Sequence, residues 1–413
     1  MAVDDRPTWQ QARQLSYQHG ERLRDETLSL HEAPRRRLAR DVVALCDLPH
    51  YESSAMDGWA VAGDGPWTVI ARHSGESLAI GQTSSIVTGA IVPPGTTAIL
   101  RNEHARRYTD RSRQLLATTS AARVDEPSPG EHIRTAGTEA MAGDTLIPAG
   151  RILNPAHIAL AAAAGYDELT VSARPRVSLV LTGDEVVLSG VPGPGRVRDS
   201  FGPVLPAVLA GLGAQTVGAV HLQDSLEALI DAIRAGTGSS DVIVTTGGTG
   251  NSDADHLRAA LRQLGATVLI AGIRMRPGAP SMLARLPDGR YVIGLPGNPL
   301  AAIVGLLTLA EPLFAVLTGG PEPATNTVVS GSELTGRAGT SLLVPYQIQD
   351  GVAIPTHWRA STMMRGLASS DGILVCPPHA VAAGESVAAL RLPWNTDDAG
   401  GQTPQSLQQG RTD

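Results

Sequence analysis

The pattern of apolar and polar positions changes character along this chain. Over the first forty-odd residues Leu15, Leu23, Leu28, Leu30 and Leu38 are interspersed with arginines, which predicts mostly helix as far as Asp47-Leu48-Pro49. From 51 to about 134, short apolar runs such as Trp59-Ala60-Val61, Trp67-Thr68-Val69-Ile70 and Ala98-Ile99-Leu100 alternate with Gly and Pro turns. That texture predicts a small all-β unit. Residues 154–165 (NPAHIALAAAAG) predict a helix, with Asn154 as cap, Pro155 in the first turn and Gly165 at the stop.

Between about 174 and 319, strand and helix patterns alternate. Strands are expected at 177–181, 216–220, 241–245 and 292–294, and helices at 203–212, 225–235, 258–264 and 300–317. Such alternation implies a parallel sheet with helices on both faces, and ligands outside the carboxyl ends of its strands. From 321 to 393 the texture is β again. The last twenty residues are polar and low in apolar content, which predicts a disordered tail.

Composition narrows the possibilities. Aromatics are 3 % of the 413 residues against 42 % hydrophobic, so the core must be built from Ala, Val, Leu and Ile. The two cysteines, Cys46 and Cys376, are far apart, which rules out a disulfide framework and a zinc ribbon. All 33 basic side chains are arginine, against 40 acidic ones, giving a net charge of −7 with no basic block. That excludes a non-specific binder of nucleic acid or of an anionic membrane. The N-terminus lacks the apolar stretch of a signal peptide, so the cytoplasm is the expected compartment. The apolar run 299–317 is interrupted by Glu311-Pro312 and reads as a buried helix rather than a membrane span.

Three expected strand ends carry small, flexible loops: Thr182-Gly183-Asp184-Glu185, Thr245-Thr246-Gly247-Gly248-Thr249-Gly250 and Leu295-Pro296-Gly297-Asn298-Pro299. A glycine-rich turn leading into a helix can present unpaired backbone N–H groups and the helix dipole to an anion. One such turn is only a turn; three in one sheet suggest a phosphate or oxyanion pocket. None is a nucleotide P-loop or a Gly-x-Gly-x-x-Gly fingerprint. Carboxylates lie close by in sequence: Asp184, Glu185, Asp199, Asp253 and Asp255. Beside a phosphate they would repel the ligand unless a cation such as Mg²⁺ lies between. Taken singly, Asp184 and Asp255 read as helix caps.

The β unit opens with Ser54-Ala55-Met56-Asp57-Gly58-Trp59-Ala60-Val61. This stretch resembles the signature of the molybdopterin molybdenumtransferase family. Thr88-Gly89-Ala90 with Pro93, Thr182-Gly183-Asp184-Glu185, Asp199-Ser200 and Leu295-Pro296-Gly297-Asn298-Pro299 are similar to that family's other motifs, in the same order. The resemblance runs from about 33 to 378.

The resemblance implies an enzyme that takes adenylylated molybdopterin and molybdate, inserts molybdenum and releases AMP, with Mg²⁺ assisting. It implies an α/β multidomain chain. A linking domain would be formed by 1–50 and 137–173, a β domain inserted at 51–136, a molybdopterin-binding α/β domain at 174–320, and a β-barrel at 321–394, with a tail at 395–413. It also implies a homodimer whose cleft lies between the α/β domain of one subunit and the β insertion of the other. Molybdopterin adenylyltransferase and apo-molybdoenzymes are the implied protein partners. Carried over, Asp57, Asp199, Asp255, Glu185 and Glu139 become the catalytic positions, with Asp199, Asp255 and Asp57 holding the metal. Thr88, Thr182, Gly183, Thr246, Gly247, Gly248, Thr249, Arg276, Pro277, Pro296, Gly297, Asn298 and Pro299 become substrate contacts.

Four positions depart from the family pattern. Glu139 stands where aspartate is usual. Gly250 stands where the family has serine. The family's Lys-Pro-Gly-Lys-Pro here reads Arg276-Pro277-Gly278-Ala279-Pro280, so Arg276 keeps a cation and Ala279 removes one. These departures leave open a non-catalytic pterin-binding scaffold. The Thr-Thr-Gly-Gly-Thr-Gly loop alone suggests an adenylyltransferase, against which the motif around Asp57 argues.

Overall fold

The computed structural model describes residues 5–71, 76–236, 240–247 and 256–395. The chain forms two compact units, one made of 1–24 with 172–413, the other of 25–171.

In the smaller unit, a six-stranded sheet has the order Ala98–Arg101, Gly58–Val61, Gln82–Ile86, Trp67–Val69, Arg113–Thr118, Ala105–Asp110. The β texture of the sequence is therefore correct here. The helix Pro155–Ala163 begins as expected: Asn154 Oδ1 accepts from the His157 N–H, and His157 Nδ1 accepts from the Asn154 N–H.

The expectation of helix through the first forty residues is corrected. Only Trp9–Gln18 is helical, and Asp25–Ser29 is a strand paired with Glu168–Ser172. The leucines form one pattern in sequence, yet they serve two cores. Leu15 and Leu23 pack in the larger unit. Leu28, Leu30 and Leu38 pack with Val42, Ile147, Leu153 and Val171 in the smaller.

In the larger unit a six-stranded sheet has the order Gln215–Leu222, Arg176–Thr182, Val242–Thr246, Tyr291–Leu295, Met282–Arg285, Thr267–Ile270. The first four strands are parallel. The last two are antiparallel and correct the expectation of a wholly parallel sheet. Alternation along the strands feeds two layers. Leu179, Leu181 and Val244 meet helices Leu205–Gly211 and Pro299–Leu317 on one face. Val180, Ile243 and Val292 meet Leu226–Ala235 and His256–Gln263 on the other. Beyond this sheet, five strands from Asn326–Val329 to Ser386–Arg391 curl round until Ser330 bridges Ala353, closing a small barrel. A short strand, Met275–Arg276, pairs with its Ser341–Gln349 strand.

The helix Pro299–Leu317 is long and apolar enough to cross a membrane, but fifteen of its nineteen residues are buried within the protein. Pro312 cannot donate to the carbonyl one turn back. Around it the N-terminal helix supplies donors: Arg13 to Leu307 O (3.0 Å) and Ser16 to Leu309 O (2.6 Å). Arg13 also pairs with Glu311 at 2.7 Å, its own side chain 5 % exposed. Arg13→Met should leave the Glu311 carboxylate without its cation, lowering stability by about 3 kcal/mol in a denaturant titration.

Candidate active site

The Gln215–Leu222 strand lies on one side of Arg176–Thr182 and Val242–Thr246 on the other, so the chain reverses direction across the sheet at that point. The crevice at the carboxyl ends of such strands is where open α/β sheets take ligands. A cleft of about 770 Å³ lies there. Thr182 Oγ1 donates to Thr246 O at 2.8 Å, tying two of the glycine turns together. The Gly247 N–H donates to Leu295 O at 3.0 Å and ties in the third. Gly247 is obligatory: its φ is +83°, and a Cβ would come 2.7 Å from Thr182 Oγ1.

Of the residues singled out from sequence, Thr182, Gly183, Glu185, Asp199, Thr246, Gly247, Gly297, Asn298 and Pro299 line this cleft. Asn298 precedes the long helix without capping it through its side chain, so the positive end of the helix dipole stands at the cleft wall. The Thr246 hydroxyl is buried and has no partner among the described residues.

Asp199 is held on three sides. Its Oδ1 accepts from the Phe201 N–H (2.9 Å) and the Gly202 N–H (3.0 Å), and its Oδ2 lies 3.0 Å from His221 Nε2. Burial pushes this carboxyl up, but the Gly202 N–H, His221 and the Phe201 N–H outweigh it, and the balance lies below the usual range. Asp199 is thus a fixed carboxylate at neutral pH. Asp184 caps no helix; its Oδ1 accepts from the Asp224 N–H at 3.1 Å.

Other expected residues stand elsewhere. Arg276 and Pro277 line a second cleft of about 540 Å³ with Glu333, Arg359, Ser361 and Cys376. The cause is the short strand that fixes Arg276 to the barrel. Ser361 lines this cleft and Thr362 the first, so the two share a wall. Pro296 is buried. Gly248, Thr249 and Asp255 lie outside the described residues.

In the smaller unit the family-like motifs meet as a pair. Asp57 Oδ1 accepts from the Thr88 N–H (2.7 Å) and the Thr88 hydroxyl (2.8 Å). These two bonds, the backbone one first, hold the exposed Asp57 carboxyl below the usual range. Glu139 takes no part in them; it sits on an exposed turn whose N–H donates to Leu48 O. A depressed carboxyl pKa contributes stability above the unfolded value and loses it as pH falls through the folded one. Thr88→Val removes the hydroxyl donor, so the Asp57 carboxyl should titrate at a higher pH by carbon-13 NMR.

Sequence reasoning did not single out His221 as a partner of Asp199, or Arg359 in the second cleft. His221 belongs to no motif. Its one available signal is position, at the carboxyl end of a strand expected to border the ligand. Among the described residues, three potential metal ligands come together at Glu126, Glu131 and His132, a group that includes none of the expected metal residues. Arg101 and Arg123 already pair with its glutamates.

The description "MoeA N-terminal region (domain I and II)" matches residues 7–165, and "Probable molybdopterin binding domain" matches residues 178–315. A molybdopterin molybdenumtransferase of Nostoc sp. is 31 % identical over 398 residues, 89 % of each chain. This chain belongs to the molybdopterin molybdenumtransferase family. A molybdopterin molybdenumtransferase 2 of Mycobacterium tuberculosis is 31 % identical over 86 % of this chain and 91 % of its own. A molybdopterin biosynthesis MoeA protein from Pyrococcus horikosii shares the fold, with a TM-score of 0.77 over 94 % of this chain and 99 % of its own at 22 % identity. Within this molybdenumtransferase, the first matched segment carries Asp57, Thr88 and Glu139, and the second carries the glycine-turn cleft.

Proposed function

We infer that this chain transfers molybdenum to molybdopterin, a late step in building the molybdenum cofactor. In the finer reading the substrate is adenylylated molybdopterin, molybdate supplies the metal, and AMP leaves. The observation that carries this reading is the meeting of three glycine turns, a fixed Asp199 carboxylate and Thr246, whose buried hydroxyl has no partner among the described residues, in one cleft. Its backbone donors and helix dipole suit phosphate oxygens. Its volume suits a nucleotide-sized guest.

A divalent cation fits the donors present. Asp199 is ionised, and the Thr246 hydroxyl and the Glu185 carboxylate add hard oxygens, which suits Mg²⁺ held by few side chains plus phosphate. When bound, the ion polarises the phosphoanhydride and stabilises departing AMP. Glycine turns orient the phosphates, and Asp199 keeps its charge where the ion is needed. The second cleft, with Arg276, Arg359 and Ser361, suits the molybdate dianion, its two guanidiniums supplying positive charge.

The same reading takes a cytoplasmic homodimer that receives substrate from a molybdopterin adenylyltransferase and delivers product to apo-molybdoenzymes. Incubation of the purified chain with adenylylated molybdopterin and Mg²⁺ should release AMP only when molybdate is added. AMP release that stays at background refutes the reaction.

A further inference from the structure

We propose that Arg196 and Arg198 hold the phosphate of the nucleotide-bearing substrate in the glycine-turn cleft. This rests on the function proposed above and adds two contacts to it. The cleft is lined by four carboxylates, Asp184, Glu185, Asp199 and Asp224; the arginines among its described lining residues are Arg196 and Arg198. An anionic guest therefore enters a wall of like charge that one divalent cation does not neutralise.

The local fold delivers both arginines to that wall. Val186–Val187 pairs in parallel with Val197–Arg198, so the chain loops out and returns to the cleft rim. The Val197 N–H donates to Glu185 O (2.9 Å) and the Asp199 N–H to Val187 O (2.9 Å), which clamps the base of the loop. Arg196 Nη1 donates to Asp184 O. Arg198 Nη1 donates to Val187 O (3.2 Å) and Asp199 O (3.3 Å). Each guanidinium is thus braced through one nitrogen, and among the described residues its Nε and Nη2 have no partner and can meet a guest. Both side chains are exposed. A guanidinium fork matches two phosphate oxygens, and a brace that fixes its plane lowers the entropy lost on binding.

The test is calorimetric titration of the full chain with AMP and with adenosine, in Mg²⁺, for wild type, R196A, R198A, the double variant and R198K. Thermal melts check that each variant is folded. Each alanine should weaken AMP about tenfold and leave adenosine unchanged, and R198K should recover part of the loss. An arginine that only braces the loop would, when removed, weaken both ligands alike. A double variant with wild-type AMP affinity, or with equal losses for AMP and adenosine, overturns the proposal while the proposed reaction stands. Wild-type protein that binds neither ligand overturns both.

Discussion

Asp199→Asn should slow molybdate-dependent AMP release a hundredfold or more and leave the fold intact. The amide oxygen still accepts from the Phe201 and Gly202 N–H groups, so the turn before the Leu205–Gly211 helix survives. The amide nitrogen takes the place of Oδ2, and His221 meets it by presenting Nε2 as an acceptor in its other tautomer. What disappears is the negative charge. Losing one preorganised electrostatic contact to a developing transition state typically removes about 3–4 kcal/mol, or two to three orders of magnitude in rate. Single-turnover AMP release reads the loss. A near-wild-type rate would exclude the Asp199 charge from the chemistry.

Gly58→Ala should destabilise the 25–171 unit by more than about 3 kcal/mol. Gly58 pairs with Ile86 on one side and Arg101 on the other, so its backbone is fixed by two strands. A Cβ there would lie 2.1 Å from Leu100 O, an atom of the neighbouring backbone that has no rotamer by which to move aside. Relief requires opening the strand that carries Asp57 into its pairing with Thr88. Denaturant unfolding should show the loss, and the Asp57 carboxyl should return toward its ordinary titration range. A variant as stable as wild type would contradict this packing.

Much of this molecule is legible in its residues where local chemistry decides the structure. Asn154 caps its helix where its position promised, because a side chain three residues from its target N–H needs no tertiary context. The three glycine turns also meet, because strands feeding them are adjacent in the sheet. The sequence is silent where partners are distant. Thr267–Ile270 and Met282–Arg285 are too short to announce themselves and exist by pairing with Tyr291–Leu295 and with each other. Arg276 looks from its motif like a companion of the glycine turns, yet a two-residue pairing with the barrel draws it to another cleft. Arg13, one of the arginines interspersed among leucines in the expected N-terminal helix, is instead buried, where it pairs with Glu311 and donates to Leu307 O.

The most direct test follows the molybdenum itself. Purified chain, adenylylated molybdopterin, molybdate and Mg²⁺ are combined, and the product is offered to an apo-molybdoenzyme whose activity and molybdenum content are then measured. Activation that requires every component, with molybdenum recovered in the acceptor enzyme, is the expected result. Pterin retained on the protein without metal, and an acceptor that stays inactive, would mean that this chain binds the pterin and performs no insertion.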